Sequence, residues 1–164
     1  MRLLQIFTKI SLSAFFALFK IGFKHPLFIL PTAKATRKCI ALSNSYFGHK
    51  HHENGPANAF RHALWNFLIA KYCSKRSKNN DSVLAYTQSI TDWHESAFPN
   101  RELAKKMDLH NNAVGRHLFK IHGAIAISDF VDILLQETKK SAYITQIDAF
   151  TNFKNQLVHI KNEA

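Results

Sequence analysis

Asn58, His62 and Asn66 stand four residues apart among Ala, Phe, Leu and Trp, in the stretch Asn58-Ala59-Phe60-Arg61-His62-Ala63-Leu64-Trp65-Asn66. On an α-helix this spacing puts the three polar side chains on one face beside apolar neighbours. Asp108, Asn112 and Arg116 repeat the pattern in Met107-Asp108-Leu109-His110-Asn111-Asn112-Ala113-Val114-Gly115-Arg116, with Leu109, Ala113 and Leu118 on the core side. A third polar group, His94-Glu95, follows Thr91-Asp92-Trp93, and Val83, Ile90 and Phe98 place His94 near the apolar side of its helix. No segment shows sustained period-two alternation with turn signals. The fold expected is all-α, a compact helical bundle in which three polar strips converge.

Pro and Gly punctuate the body. His25-Pro26 and Pro31 are expected to break the chain, and a helix from Thr32 to about Phe47 is ended by Gly48. Pro56 suits the first turn of a helix running to about Cys73. Asp81 is a candidate cap for a helix to about Ala97, which Pro99 stops. Further helices are expected from Asp108 to His122, from Ser128 to roughly Lys139, and in the tail from Ile144 to Ile160. His49, His51, His52 and Glu53 read as an exposed loop.

The formal charge is +11, and it is unevenly placed. Residues 1–52 hold eight Lys or Arg and no acid, whereas residues 53–164 hold fourteen bases against eleven acids. Basicity therefore belongs to the N-terminal third, as in an arm that meets phosphate-rich surfaces. Residues 1–30 also carry six of the fourteen Phe. On a helix, Arg2, Gln5, Lys9, Ser13, Lys20 and Lys24 form a narrow polar stripe on an otherwise apolar cylinder. The longest uncharged run, Ile10–Phe19, is ten residues, against about 20 for a bilayer span. Residues 1–30 are read as an amphipathic helix that lies in a membrane interface or packs on the body, and 31–164 as one α-helical domain. Nucleic acid is the weaker partner, because no recognition motif accompanies the basic residues.

Cys39 and Cys73 are too few for a disulfide framework. That, with no small-x-small cleavage site after the apolar run, favours the cytoplasm, peripheral on the inner membrane.

A cavity lined by the three strips can do acid–base or metal chemistry. His62, His94 and Asp108 are the candidate ligands of a divalent metal such as zinc. Glu95 is the candidate base, His62 shares the catalytic role, and Arg116 can hold a phosphate or carboxylate by its fork. Asn58, Asn66, Asn111 and Asn112 are expected to line the pocket, and Gly115 to admit a close neighbour. His94-Glu95 opens like a metalloprotease helix, but Phe98 stands where the second His belongs, so any metal must be gathered from separate helices.

These three motifs, in this order, resemble a bacterial domain family of unknown function that also occurs at the C-terminal ends of secreted wall-associated and toxin-like proteins. The resemblance covers about Gly55 to Phe119. It implies a small helical domain with the polar residues grouped, and no established reaction.

The function expected is a membrane-associated protein with a hydrolase-like pocket, acting on a phosphate- or ester-containing small molecule or lipid. The alternative is a non-catalytic membrane- or partner-binding protein whose strips form a buried structural network.

Overall fold

Pro26 and Pro56 each occupy the first turn of a helix, where the N–H that proline lacks would have no helical partner. The computed structural model describes residues 11–98 and 100–161. Among them are six α-helices: α1 (Leu12–Lys24), α2 (Pro26–Phe47), α3 (Pro56–Cys73), α4 (Asn80–Ala97), α5 (Glu102–His122) and α6 (Ile127–Lys139). The all-α expectation holds. The arm before Ser11 and the Pro99 stop lie outside the described residues.

Helix α3 is the hub. Thirteen of its eighteen residues are buried, Asn58, His62 and Asn66 among them, so it meets neighbours on every side. It packs on α2, α4, α5 and α6. The main core gathers Phe60, Leu64, Phe67, Leu68, Val114, Phe130 and Leu134 around it.

Several boundaries differ from expectation, the start of α5 at Glu102 instead of Asp108 among them. Pro31 sits inside α2 instead of breaking it. The carbonyl that Pro31 leaves without a helical donor belongs to Leu27, which is 68% exposed and so within reach of water. Asn79, not Asp81, caps α4, its side chain accepting from the Ser82 amide. The tail is not a helix: a 3-10 segment (Ile147–Phe153) separates two short strands, β1 (Ala142–Tyr143) and β2 (Val158–His159), which pair in parallel. Asn111 fixes that clasp, donating from Nδ2 to the Val158 carbonyl and accepting from the Val158 amide. Ile144, Val158 and Ile160 then close a second small core on Ala104 and Met107, at the start of α5.

Helix α1 begins where the Ser11 hydroxyl accepts from the Ala14 amide. It is held on α4 by a hydrogen bond from Trp93 Nε1 to the Ala14 carbonyl (2.7 Å), with Leu18 and Ile21 against the main core. None of its residues is buried. No single helix among the described residues is long and apolar enough to cross a membrane; α1 and the segment 26–52 pass such a test only as a pair, bent by 114°.

Candidate functional site

Helices α3 and α5 cross so closely that a Cβ on Gly115 would overlap the Ala63 carbonyl oxygen and lie 2.7 Å from the Ala63 Cα. Glycine is required there by its neighbour, not by its backbone angles. The close crossing turns the polar strips of both helices inward: His62, Asn66, Asp108 and Asn112 are all buried, as is Glu95 of α4. On the core side of α5, Leu118 is buried as expected, but Leu109 is half-buried and Ala113 is exposed. The polar strip takes the place they were expected to fill.

Hydrogen bonds orient the whole cluster. Asn66 Nδ2 donates to Asn112 Oδ1 (2.7 Å) and to the His62 carbonyl (3.1 Å). Asn66 Oδ1 accepts from Thr91 Oγ1 (3.2 Å) and from Arg116 Nη1 (2.9 Å). Asn112 Nδ2 donates to Glu95 Oε1 (3.2 Å), leaving Asn112 Oδ1 to accept from His62 Nδ1 at 3.1 Å. The proton of neutral His62 is thereby placed on Nδ1, and Nε2 carries the lone pair. Burial, then the charge of Arg61, holds His62 well below the ordinary imidazole range, so it is neutral.

Two groups face that lone pair. Arg61 Nη2 lies 2.7 Å from Nε2, and Asp108 Oδ1 lies 3.2 Å away. Asp108 Oδ1 is buried and has no hydrogen-bond partner among the described residues. Burial, then the charge of Glu95, pushes the Asp108 carboxyl up to about 7 against the opposing pull of Arg61 and of a hydrogen bond from Asn100. Burial likewise raises Glu95, opposed by its bond from Asn112. One atom each of His62, Glu95 and Asp108 lie within 4.8 Å of one another. These three form a group that can hold a metal ion, the one such group among the described residues.

Of the expected site residues, His62, Glu95, Asp108, Asn66 and Asn112 come together. His94 lies outside the group: its ring packs against Trp65 and Phe98 and lines a hollow of about 120 Å³ beside Arg61. Burial lowers it to about 4. Arg116 is one residue removed, bonded through Asn66. Asn111 points to the C-terminal clasp. Asn58 is buried beside the site with its Oδ1 unpartnered. His51, read as part of an exposed loop, is fully buried instead: its Nε2 bonds Asn44 (2.8 Å) and its carbonyl accepts from Arg61 Nε (3.0 Å).

Arg61 is the site residue that sequence reasoning did not single out as functional. It follows no i, i+4 pattern with the strip, and only its length and its position beside His62 hinted at it. Both cysteines are free and buried, and burial pushes each thiol up to about 12, so neither is a nucleophile.

The family described as "Domain of unknown function (DUF6973)" matches residues 19–142. No curated protein and no solved structure matches the chain. The match spans most of the chain, begins within the segment read as a separate arm, and includes every residue of the buried cluster. The protein belongs to this family.

Proposed function

For this member of the family, we propose a hydrolytic centre in which His62, Glu95 and Asp108 hold one divalent cation, in a protein peripheral to a membrane. The observation that carries the reading is Asp108 Oδ1, buried without a hydrogen-bond partner and facing the His62 Nε2 lone pair at 3.2 Å. A buried carboxylate against an imidazole lone pair is unfavourable until a cation or a proton lies between them. The His62 tautomer suits a metal ligand, since a ligating His normally gives its other N–H to a carbonyl or carboxylate, and Asn112 supplies that acceptor. Zinc takes imidazole nitrogen and carboxylate oxygen ligands, and its catalytic sites keep a fourth position for water beside three protein ligands.

In this reading Glu95 would hold the cation by one carboxylate oxygen and take the proton of the attacking water with the other, and Arg61 leaves Nε2 to meet the negative charge that develops on an ester or phosphoester oxygen. Arg116 acts at a distance, holding Asn66 and through it Asn112. A second reading is favoured by the 2.7 Å contact of Arg61 with Nε2: Asp108 carries a proton to His62 and the centre works without metal. Purified, tag-free protein decides between them. The metal reading expects about one equivalent of bound zinc or manganese, lost in Asp108→Asn while helicity by circular dichroism is retained. No binding by either protein, with catalysis resistant to EDTA, would establish the proton reading. If neither protein binds metal or turns over any ester or phosphoester, the cluster is a structural network.

A further inference from the structure

A groove of about 850 Å³ opens between α1, α2 and α4, walled by Phe15, Leu18, Phe19, Ile29, Tyr86 and Ile90. Its volume is in the range of small-molecule sites. The groove also meets Thr32 and Ala33 of α2. One helical turn further along both walls lie Thr36 and His94, which line the smaller hollow that ends at Arg61 and Trp65. Trp65 Nε1 donates to Thr36 Oγ1 (2.9 Å) at that junction. The two hollows thus lie one helical turn apart, the outer one apolar and the inner one bordered by the Arg61 cation, with Glu95 next in sequence to the His94 that lines it.

The outer corner is apolar and basic at once. Phe16, Phe19, Phe23, Leu27 and Leu30 are each 60–80% exposed. Lys20 and Lys24 lie exposed among them, and residues 1–52 contain no acid. Exposed Phe and Leu flanked by Lys suit a surface of acyl chains under anionic headgroups.

From this we propose that the groove takes the acyl chain of a single-chain anionic lipid, its polar end directed to Arg61 and its tail toward the exposed Phe of α1. This names the substrate class for the hydrolytic reading above and rests on that reading. Charge complementarity favours an anionic polar end: Arg61 borders the inner hollow, and Lys20 and Lys24 stand among the exposed Phe and Leu of the outer corner. The Phe face enters the acyl layer of the membrane, and one chain slides along the groove without crossing water.

Tryptophan quenching tests the proposal. Full-length protein is titrated with lysophosphatidylglycerol, below its micelle concentration, brominated either near the ester or near the terminal methyl. Saturable quenching is expected, stronger for bromines near the ester because Trp65 lines the inner hollow, and lost from the ester-end probe in Trp65→Phe. Ala33→Phe, at an exposed position of the groove wall, should raise the half-saturation concentration by about tenfold; Gly22→Leu on the α1 wall serves if that variant folds poorly. Absence of saturable quenching, stronger quenching by the methyl-end probe, or wild-type binding by the plugged, folded variant would overturn it. So would a lipid-free dimer that Ala33→Phe converts to monomer, since the groove would then belong to a second copy. The readout needs no turnover. Saturable binding beside a failed metal and hydrolysis assay would sink the hydrolytic reading and leave the acyl groove standing.

Discussion

His62 gives its Nδ1 proton to Asn112 Oδ1 across the α3–α5 interface, at 3.1 Å. That one bond sets which ring nitrogen faces Arg61 and Asp108, and it depends on an amide that serves Asn66 and Glu95 as well.

Asn112→Leu therefore orphans at least two buried groups, the His62 N–H and the Glu95 carboxylate. Unsatisfied buried groups cost about 1–3 kcal/mol each. Urea unfolding of the variant should show a loss of that order per group, and a loss within error of zero would mean that water replaces the amide.

Gly115→Ala should be destabilising although alanine is the better helix former. The added methyl meets the Ala63 backbone, which cannot rotate aside. Overpacking of this kind costs about 1–3 kcal/mol, against a helix gain of about 1 kcal/mol. A midpoint in urea at or above wild type would show that the two helices separate freely.

Glu95→Gln keeps an oxygen for Asn112 Nδ2 and removes both the base and the charge of a proposed cation ligand. Stability should change little, while hydrolysis of any ester or phosphoester that the wild type accepts should fall by about 10²–10⁴-fold. Unchanged turnover would take Glu95 out of the proton path.

His51 provides a pH signature. Burial, then the neighbouring His52 and Arg61, lowers it from 6.5 to about 4. The unfolded chain thus binds a proton that the folded protein refuses between those values, so its contribution is present above about 6.5 and is lost as pH falls toward 4. His51→Gln, compared with wild type across that window, should flatten the acid side of the stability curve. Parallel curves for the two proteins would show that His51 protonates in place.

Trp93→Phe removes the donor that holds the Ala14 carbonyl. Amides of Leu12–Lys24 should then exchange hydrogen faster, with those of α3 unchanged. Equal exchange in α1 would mean that Leu18 and Ile21 alone keep it docked.

What could be read from the chain was the local part of this architecture. Pro56 and the run to Cys73 foretold the bounds of α3, because proline and apolar run agree. The start of α5 was missed by six residues, Glu102 against Asp108, because Ala104 and Met107 find their partners only in the distant tail. The same distance hid β1 and β2, which are two residues each and of which β2 is held on α5 by Asn111. Within the site, His94 and Glu95 are neighbours about 100° apart on one helix. Which of them turns inward was decided by Trp65 and Phe98, whose rings take up His94. Arg61 was hidden for a similar reason: its Cβ leaves α3 beside the strip, and only its long side chain returns to His62.

The grip of Asn111 on Val158 has a consequence for how this chain can vary. Both hydrogen bonds go to main-chain atoms, so the latch is indifferent to the letter at position 158 provided the segment extends and its side chain fits the small core. Position 111 has no such latitude, since a carboxylate keeps only the acceptor and the longer Gln carries its amide one carbon too far for the pair. Mutational drift should therefore be tolerated on one side of the contact and arrested on the other.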